Sequence, residues 1–269
     1  MSPSTDELAA VASEAVRAPG DYLRETFRNG SVDGEYDAID VKAVADREAQ
    51  SRIRAVVEDH YPDHAFDGEE SDDDTDSAYR WVVDPLDGTN NFASGYPKFA
   101  SAVAVLKDDD PVVAAIYEPL VDSLYVARRG EGATLNGEPL EAESDLPLEH
   151  GTVALVIGLS AVTDPELAAQ AEELELGLRD HCKRVVATWA PCVDWGLVAR
   201  GSIEGIVCFH PDRYEHHAGS LLAAESGIEA VDSLDENGLY VGAPDSERAA
   251  RLGEIAVDQL HAWSEAESQ

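Results

Sequence analysis

Two carboxylates three residues apart carry the strongest chemical signal in this sequence. They stand in the run Trp81-Val-Val-Asp84-Pro85-Leu86-Asp87-Gly88-Thr89-Asn-Asn-Phe92. An apolar, β-branched stretch delivers Asp84 and Asp87 across a proline-stiffened turn, and Gly88-Thr89 opens what reads as a helical turn. Magnesium takes carboxylate oxygens in near-octahedral geometry, completed by waters and substrate phosphate, so the pair is a candidate cation site. Pro85 fixes one φ angle, which lets both carboxylates and the Leu86 carbonyl converge with little ordering entropy. Free N–H groups at Gly88 and Thr89 would face an anion, as amides at a helix N-terminus do. The same pentapeptide also reads as an ordinary turn, in which Asp caps and Gly supplies positive φ.

The elements around this run follow from periodicity. Residues 5–27 read as a helix with a break or kink at Pro19-Gly20, and 40–60 as a second helix ended by Tyr61-Pro62. Residues 67–76 are mostly carboxylates and read, at least in part, as a solvated loop. Strands are expected at 81–83, 100–106, 112–117 and 124–127, with Lys107-Asp108-Asp109-Asp110 as a charged hairpin turn. Beyond Gly151 the order alternates: strands at 153–157, 184–187, 203–209 and 228–231, helices at 165–178, 192–199, 216–225 and 246–263. The expected organisation is an α+β subdomain over 1–150, which carries the Asp84–Thr89 run, and an α/β subdomain over 151–269.

Composition bounds the partners. Fifty-five acidic against 19 basic residues give a formal net charge of −36, which repels DNA, RNA and anionic membranes. The charge is spread over every surface segment, the pattern of a protein adapted to a cytoplasm of molar salt, where the Debye length is about 3 Å. No apolar run is long enough to span a bilayer, and the first residues lack the basic and apolar regions of a signal peptide, so a cytoplasmic location is expected. Cys182, Cys192 and Cys208 have no Cys-x-x-Cys spacing and read as reduced thiols, neither a disulfide frame nor a zinc site.

The longer run from Asp84 to Val105 resembles the inositol monophosphatase superfamily, whose signature is Asp-Pro-x-Asp-Gly-Thr-x-x-Phe followed by Gly-x-Pro and a Ser-containing strand. Asp84, Pro85, Asp87, Gly88, Thr89, Phe92, Gly95, Pro97 and Ser101 match. Gly68-Glu69-Glu70, Gly132-Ala-Thr-Leu-Asn136-Gly137 and Ala218-Gly219 to Glu225-Ser226-Gly227 match three more family motifs in order. The resemblance implies a mixed α+β and α/β fold, a layered α-β-α-β-α sandwich of the sugar-phosphatase type, often homodimeric. It implies a Mg²⁺-dependent phosphomonoesterase with two or three ions per site, often inhibited by Li⁺. By position, Glu69, Asp84 and the Leu86 carbonyl would hold the first metal, and Asp84, Asp87 and Glu215 the second. Asp87, Gly88 and Thr89 would meet the phosphate. Glu69 and Thr89 would orient the attacking water, with Asp46 supporting Thr89 from behind.

The pattern also breaks. The last family motif begins Trp-Asp-x-Ala-Ala-Gly, whereas here it is Tyr214-Glu215-His216-His217-Ala218-Gly219, so a glutamate replaces a ligand aspartate. Thr188-Trp189-Ala190-Pro191 stands where many members carry small and hydroxyl residues, and Cys208 where inositol-specific members place a glutamate. For Cys208, His210, His216 and His217 the default is a structural or surface role. The expected substrates are inositol monophosphate, fructose 1,6-bisphosphate or both. The alternatives are 3′-phosphoadenosine 5′-phosphate or another sugar phosphate, or a binding or regulatory member with weakened turnover.

The charge generates a direct test. Lowering KCl from molar to about 0.1 M, where the Debye length grows to about 10 Å, should lower the melting temperature, and millimolar Mg²⁺ should partly restore it. A melting temperature independent of KCl over that range would refute the halophilic reading.

Overall fold

The computed structural model describes residues 2–30, 34–36, 41–72 and 75–267. The first helix starts at a capping box: the Ser4 hydroxyl accepts from the Glu7 N–H while the Glu7 carboxylate accepts from the Ser4 N–H. Helix α1 (Thr5–Arg17) gives way at Pro19-Gly20 to α2 (Gly20–Asn29), so the break expected there separates two helices. Strands β1 (Gly34–Tyr36) and β2 (Val41–Ala43) precede α3 (Val44–His60). Residue 40, the expected start of that helix, lies outside the described residues. Next come β3 (Ala65–Gly68), β4 (Ser71–Asp72), β5 (Tyr79–Asp87), α4 (Thr89–Ser94), β6 (Ala100–Lys107), β7 (Asp110–Glu118), β8 (Ser123–Arg128), β9 (Gly132–Leu135) and β10 (Glu138–Leu140). The rest of the chain is β11 (Thr152–Ile157), α5 (Leu159–Thr163), α6 (Pro165–His181), β12 (Arg184–Val186), α7 (Pro191–Ala199), β13 (Gly205–Phe209), α8 (Arg213–Glu225), β14 (Glu229–Ser233), α9 (Leu234–Asn237), β15 (Leu239–Ala243) and α10 (Ser246–Glu267). Among the described residues no helix is long and apolar enough to cross a membrane.

The chain forms two compact units, each discontinuous in sequence. The first comprises the residues up to Leu140 with Trp189–Gly196 and Arg213–Ser226; the second comprises Glu141–Thr188, Leu197–Asp212 and the residues from Gly227 onward. A single boundary near Gly151 does not describe this division, because two later segments return to the first unit.

The first unit holds an eight-stranded sheet in the order β10-β9-β8-β7-β6-β5-β3-β4. Among the described residues of this sheet, only the β3–β5 pairing is parallel. The charged hairpin expected at 107–110 closes β6 onto β7, with Asp108 and Asp109 both in the left-handed region that a tight two-residue turn demands. One core of this unit joins α1 and α3 to the sheet through Leu8, Val11, Ile53, Val57, Trp81, Val83 and Val103. The buried Trp81 indole N–H donates to His64 Nδ1 at 3.0 Å, anchoring the start of β5. The expectation of a loop over at least part of 67–76 is refined here. The acidic stretch 67–76 is partly strand, and Asp67 is buried at the end of β3, where Oδ1 accepts from the Arg213 guanidinium at 2.9 Å. A paired carboxylate can enter a sheet where an unpaired one cannot.

The second unit holds a five-stranded sheet, β12-β11-β13-β15-β14, parallel across its first three strands and antiparallel at β15. Helices α6 and α10 pack on it through Leu174, Leu178, Leu252 and Ile255. Asp164 caps α6 by accepting from the Glu166 and Leu167 amides. Strand β15, wholly buried, was not expected from the sequence: the three apolar residues between glycines in Gly238-Leu-Tyr-Val-Gly242 show no alternation. Cys208 is fully buried on β13 beside this strand.

What positions the chemistry is an irregularity in β5. Asp84 pairs with Ala102 and Asp87 with Ala100, so three steps on β5 span two on β6. In a regular strand, residues three apart point to opposite faces; the inserted residue resets the alternation and turns both carboxylates to one side. Pro85 has no N–H for the ladder, and its carbonyl instead accepts from Ser101 Oγ at 2.8 Å. Helix α8 is held at two points, one on the sheet and one on α7. Glu225 accepts from the Gly130 and Gly132 amides at 2.7 and 2.9 Å, and Gly219 lies so close to Trp195 that an added Cβ would sit 2.2 Å from the indole. Gly219→Ala should therefore cost about 1–3 kcal/mol through overpacking, read from denaturant unfolding in molar KCl. An unchanged midpoint would mean that α8 is free to shift.

Candidate active site

Each carboxylate on the bulged end of β5 has a distinct environment. Asp84 is 5% exposed and Asp87 4%. Asp84 Oδ1 accepts from the Leu86 N–H at 3.1 Å, closing the loop of the bulge. Asp87 Oδ2 accepts from the Cys192 N–H at 2.9 Å. Cys192 is the second residue of α7, after Pro191, so Asp87 caps a helix start whose amides have no partner within the helix.

The turn after Asp87 is equally constrained. Gly88 adopts φ +82°, and a Cβ there would meet the Lys98 carbonyl at 2.8 Å and the Ala190 methyl at 3.0 Å. Only glycine fits. Thr89 opens α4, and its Oγ1 lies 2.8 Å from Asp46 Oδ1 and 2.9 Å from the Leu86 carbonyl. One hydroxyl hydrogen cannot serve both acceptors; the charge-assisted bond to buried Asp46 is the stronger and leaves the Leu86 carbonyl free. Glu69, in the turn between β3 and β4, has an exposed side chain, while its N–H donates to the Val83 carbonyl at 3.2 Å. The neighbouring Glu70 N–H donates to Gln50 Oε1 at 3.0 Å, and Gly68 is pressed against the same Gln50. Glu215, 6% exposed, stands in the first turn of α8.

Electrostatics ties these residues together. Burial first, then the charges of Glu69, Asp87, Glu215 and Asp46, push the Asp84 carboxyl well above the usual carboxylate range. Burial and the charge of Asp194 push Asp87 up as well, against the lowering effect of the Cys192 and Val193 amides. Like charges crowded in a desolvated site resist joint ionisation unless a counter-charge arrives. The donor set fits a divalent cation: Asp84, Asp87 and Cys192 each offer one ligand atom within 4.8 Å of the others, all three buried.

Four residues of this neighbourhood escaped the sequence reading. Asp194, 1% exposed in an otherwise apolar helix, has a signal that was available: a lone carboxylate flanked by Val193 and Trp195. Gln50 and Asp67 carry no such signal. Cys192, read only as a reduced thiol, stands among the metal-capable groups. Trp189, two residues before α7, combines φ +58° with 51% exposure. A bulky residue in the left-handed region costs on the order of 1–3 kcal/mol, a strain carried next to Ala190 and Gly88. His216 packs edge-on to Trp195 at 5.8 Å between ring centroids.

The inositol monophosphatase family's sequence profile matches residues 4–265, almost the whole chain. The chain belongs to the inositol monophosphatase family. Among its relatives is a fructose-1,6-bisphosphatase/inositol-1-monophosphatase of Aquifex aeolicus, 32% identical over 227 residues, covering 81% of this chain and 82% of that protein. A protein named Nus factor SuhB, from Haemophilus influenzae, is 27% identical over 243 residues, 87% of this chain and 90% of that one. The inositol monophosphatase of Anabaena superposes with a TM-score of 0.80 over 96% of this chain and 99% of its own, at 23% identity. The mixed α/β fold with two sheets is therefore that of the family. A phosphatase function follows from membership at that level.

The raised carboxyls predict how the metal-free protein responds to pH. Between the ordinary Asp value of about 3.9 and the raised native value, the folded state binds more protons than the unfolded chain. Stability from this source is present at low pH and lost as pH rises. In EDTA and molar KCl, Asp84→Asn should melt higher than the wild type near neutral pH, on the order of a few degrees. That gap should shrink as pH falls toward 4. A gap that does not vary with pH would show that Asp84 is not held in repulsion.

Proposed function

We propose that this protein is a Mg²⁺-dependent phosphomonoesterase acting on a small polyol or sugar phosphate, such as inositol monophosphate or fructose 1,6-bisphosphate. The observation that carries the reading is the convergence of Asp84 and Asp87 in a buried, like-charged cluster that a divalent cation would relieve. Glu69, Asp84 and the Leu86 carbonyl are assigned to one cation, and Asp84, Asp87 and Glu215 to another. When bound, such ions acidify water and neutralise charge on the phosphoryl oxygens.

The chain's own residues supply the rest. Thr89, with its proton committed to Asp46, presents lone pairs that accept a hydrogen bond from the attacking water. The solvent-facing Glu69 carboxylate takes that water's proton as its oxygen bonds to phosphorus. The ester oxygen leaves with the bonding pair and is protonated from solvent, giving free alcohol and inorganic phosphate. The Asp87–Thr89 turn, where glycine lets the backbone approach closely, receives the phosphate. The homodimer implied by the resemblance and the cytoplasmic location expected from the sequence belong to the same proposal, as does adaptation to high salt.

The relative from Aquifex aeolicus supports both substrates by its name. The name Nus factor SuhB borne by another relative favours a second reading, a binding or regulatory member in which turnover is secondary. Phosphate release over a panel of sugar, polyol and nucleotide phosphates, in molar KCl with Mg²⁺, separates the two. Turnover is expected, with Asp84→Asn lowering kcat/KM far more than tenfold, a factor equal to about 1.4 kcal/mol. Glu215→Gln should raise the Mg²⁺ requirement. Turnover of no compound would move the assignment to the regulatory reading; an Asp84→Asn enzyme within tenfold of wild type would remove Asp84 from the site.

A further inference from the structure

The sulfur of Cys192 is the feature of the site that a magnesium enzyme does not call for. Magnesium is a hard cation that takes oxygen ligands, and a thiol adds nothing to its coordination. Yet Cys192 is fully buried, its Sγ lies within 4.8 Å of carboxylate oxygens of both Asp84 and Asp87, and among the described residues that sulfur makes no hydrogen bond. Its place is set from two sides. The Cys192 N–H is bonded to Asp87 Oδ2, and Ala190 packs at the tight approach to Gly88, so the segment cannot swing away without releasing the turn that carries the carboxylates.

We infer that Asp84, Asp87 and Cys192 form a binding site for thiophilic divalent cations of the zinc, cadmium and cobalt class, with the Cys192 thiolate as a direct ligand. Zinc binds thiolate sulfur at about 2.3 Å and carboxylate oxygen at about 2.0–2.2 Å, so at tetrahedral angles two donors sharing one ion stand about 3.3–3.7 Å apart. The ligand atoms, within 4.8 Å of one another, reach that spacing by inward rotation of the side chains. Two carboxylates and one thiolate give three protein ligands and leave a position open, the arrangement of a catalytic rather than a structural zinc site. On binding, the S–H bond breaks, its proton passes to solvent, and the sulfur lone pair bonds to the cation; no oxidant or reductant takes part. The consequence is competition: soft cations displace Mg²⁺ from a site that Mg²⁺ occupies through oxygen alone.

The inference rests on reading Asp84 and Asp87 as cation ligands, but its test needs no turnover. The metal-free protein in KCl is titrated with Cd²⁺ and, separately, Co²⁺, and thiolate-to-metal charge-transfer absorption is followed in the ultraviolet. The band is expected in the wild type and in Cys182→Ser and Cys208→Ser, and should be absent in Cys192→Ser and Asp84→Asn. In the same Cys192→Ser protein, calorimetry should show Cd²⁺ affinity falling roughly tenfold or more relative to Mg²⁺ affinity. Thermal melting shows whether Cys192→Ser is folded; Cys192→Ala and the folded Asp84→Asn protein carry the comparison if it is not. A saturated wild type without the band, or a band that survives in the Cys192 variants, overturns the proposal. If the band behaves as expected and no phosphate ester is turned over, the cation site stands and the phosphatase reading alone fails.

Discussion

Two like-charged carboxylates buried at one end of a strand form the constraint around which the first unit is built. Isolated, each would protonate rather than ionise in a desolvated site, and together they repel. Among the described residues, the structure does not offset this cost by pairing them with cationic side chains. It supplies amides instead: Leu86 to Asp84, and the start of α7 to Asp87. These bonds orient the carboxylates without neutralising them, as a site must if an external divalent ion is to complete it. The rigidity behind the site follows the same logic. Strand β5 is clamped between β3 and β6, Trp81 is sealed in the core, and the bulge at Pro85 is tied down by Ser101. A softer strand would let the carboxylates swing apart and relieve their repulsion.

The surface charge and the buried charge are separate electrostatic problems. Most of the −36 is solvent-facing and is screened by salt over a few ångströms. The cluster at Asp84 and Asp87 is shielded from mobile ions by its burial, so monovalent salt acts on it weakly. On the proposed reading, bulk salt and a divalent cation would therefore stabilise the fold through different residues.

Much of the site was legible because its chemistry is local. Asp84 to Thr89 is a continuous run, and its proline and glycine carry their backbone meaning openly. Helices with clear periodicity and caps, such as α1 and α6, were legible for the same reason. What stayed hidden depends on chain segments distant in sequence. The bulge that turns Asp84 and Asp87 to one side is a relation between β5 and β6, and no feature of β5 alone announces it. Cys192 and Asp194 reach the site because Asp87 caps α7, a contact across about a hundred residues. Asp67 looked solvated because its partner, Arg213, lies far along the chain. The acidic run that misled the reading there shows how a high surface charge masks the few carboxylates that are buried.

Glu215 shows how packing limits a substitution that preserves charge. On the proposed assignment it serves where the family motif has aspartate, and its extra methylene moves the carboxylate by roughly one bond length. A free helix could absorb that by retreating. Helix α8 is not free: Gly219 is pressed against the Trp195 indole one turn beyond Glu215, and Glu225 is bonded at the far end to the Gly130 and Gly132 amides. With both points fixed, the added reach must be taken up by the side-chain torsions of Glu215 itself. Those torsions are confined, because the residue is buried. The carboxylate nonetheless remains close enough for its charge to raise Asp84. To serve as a ligand on the proposed assignment, the side chain would have to fold back toward the site rather than extend past it, so the longer residue would reach the cluster by a different path from the same helix.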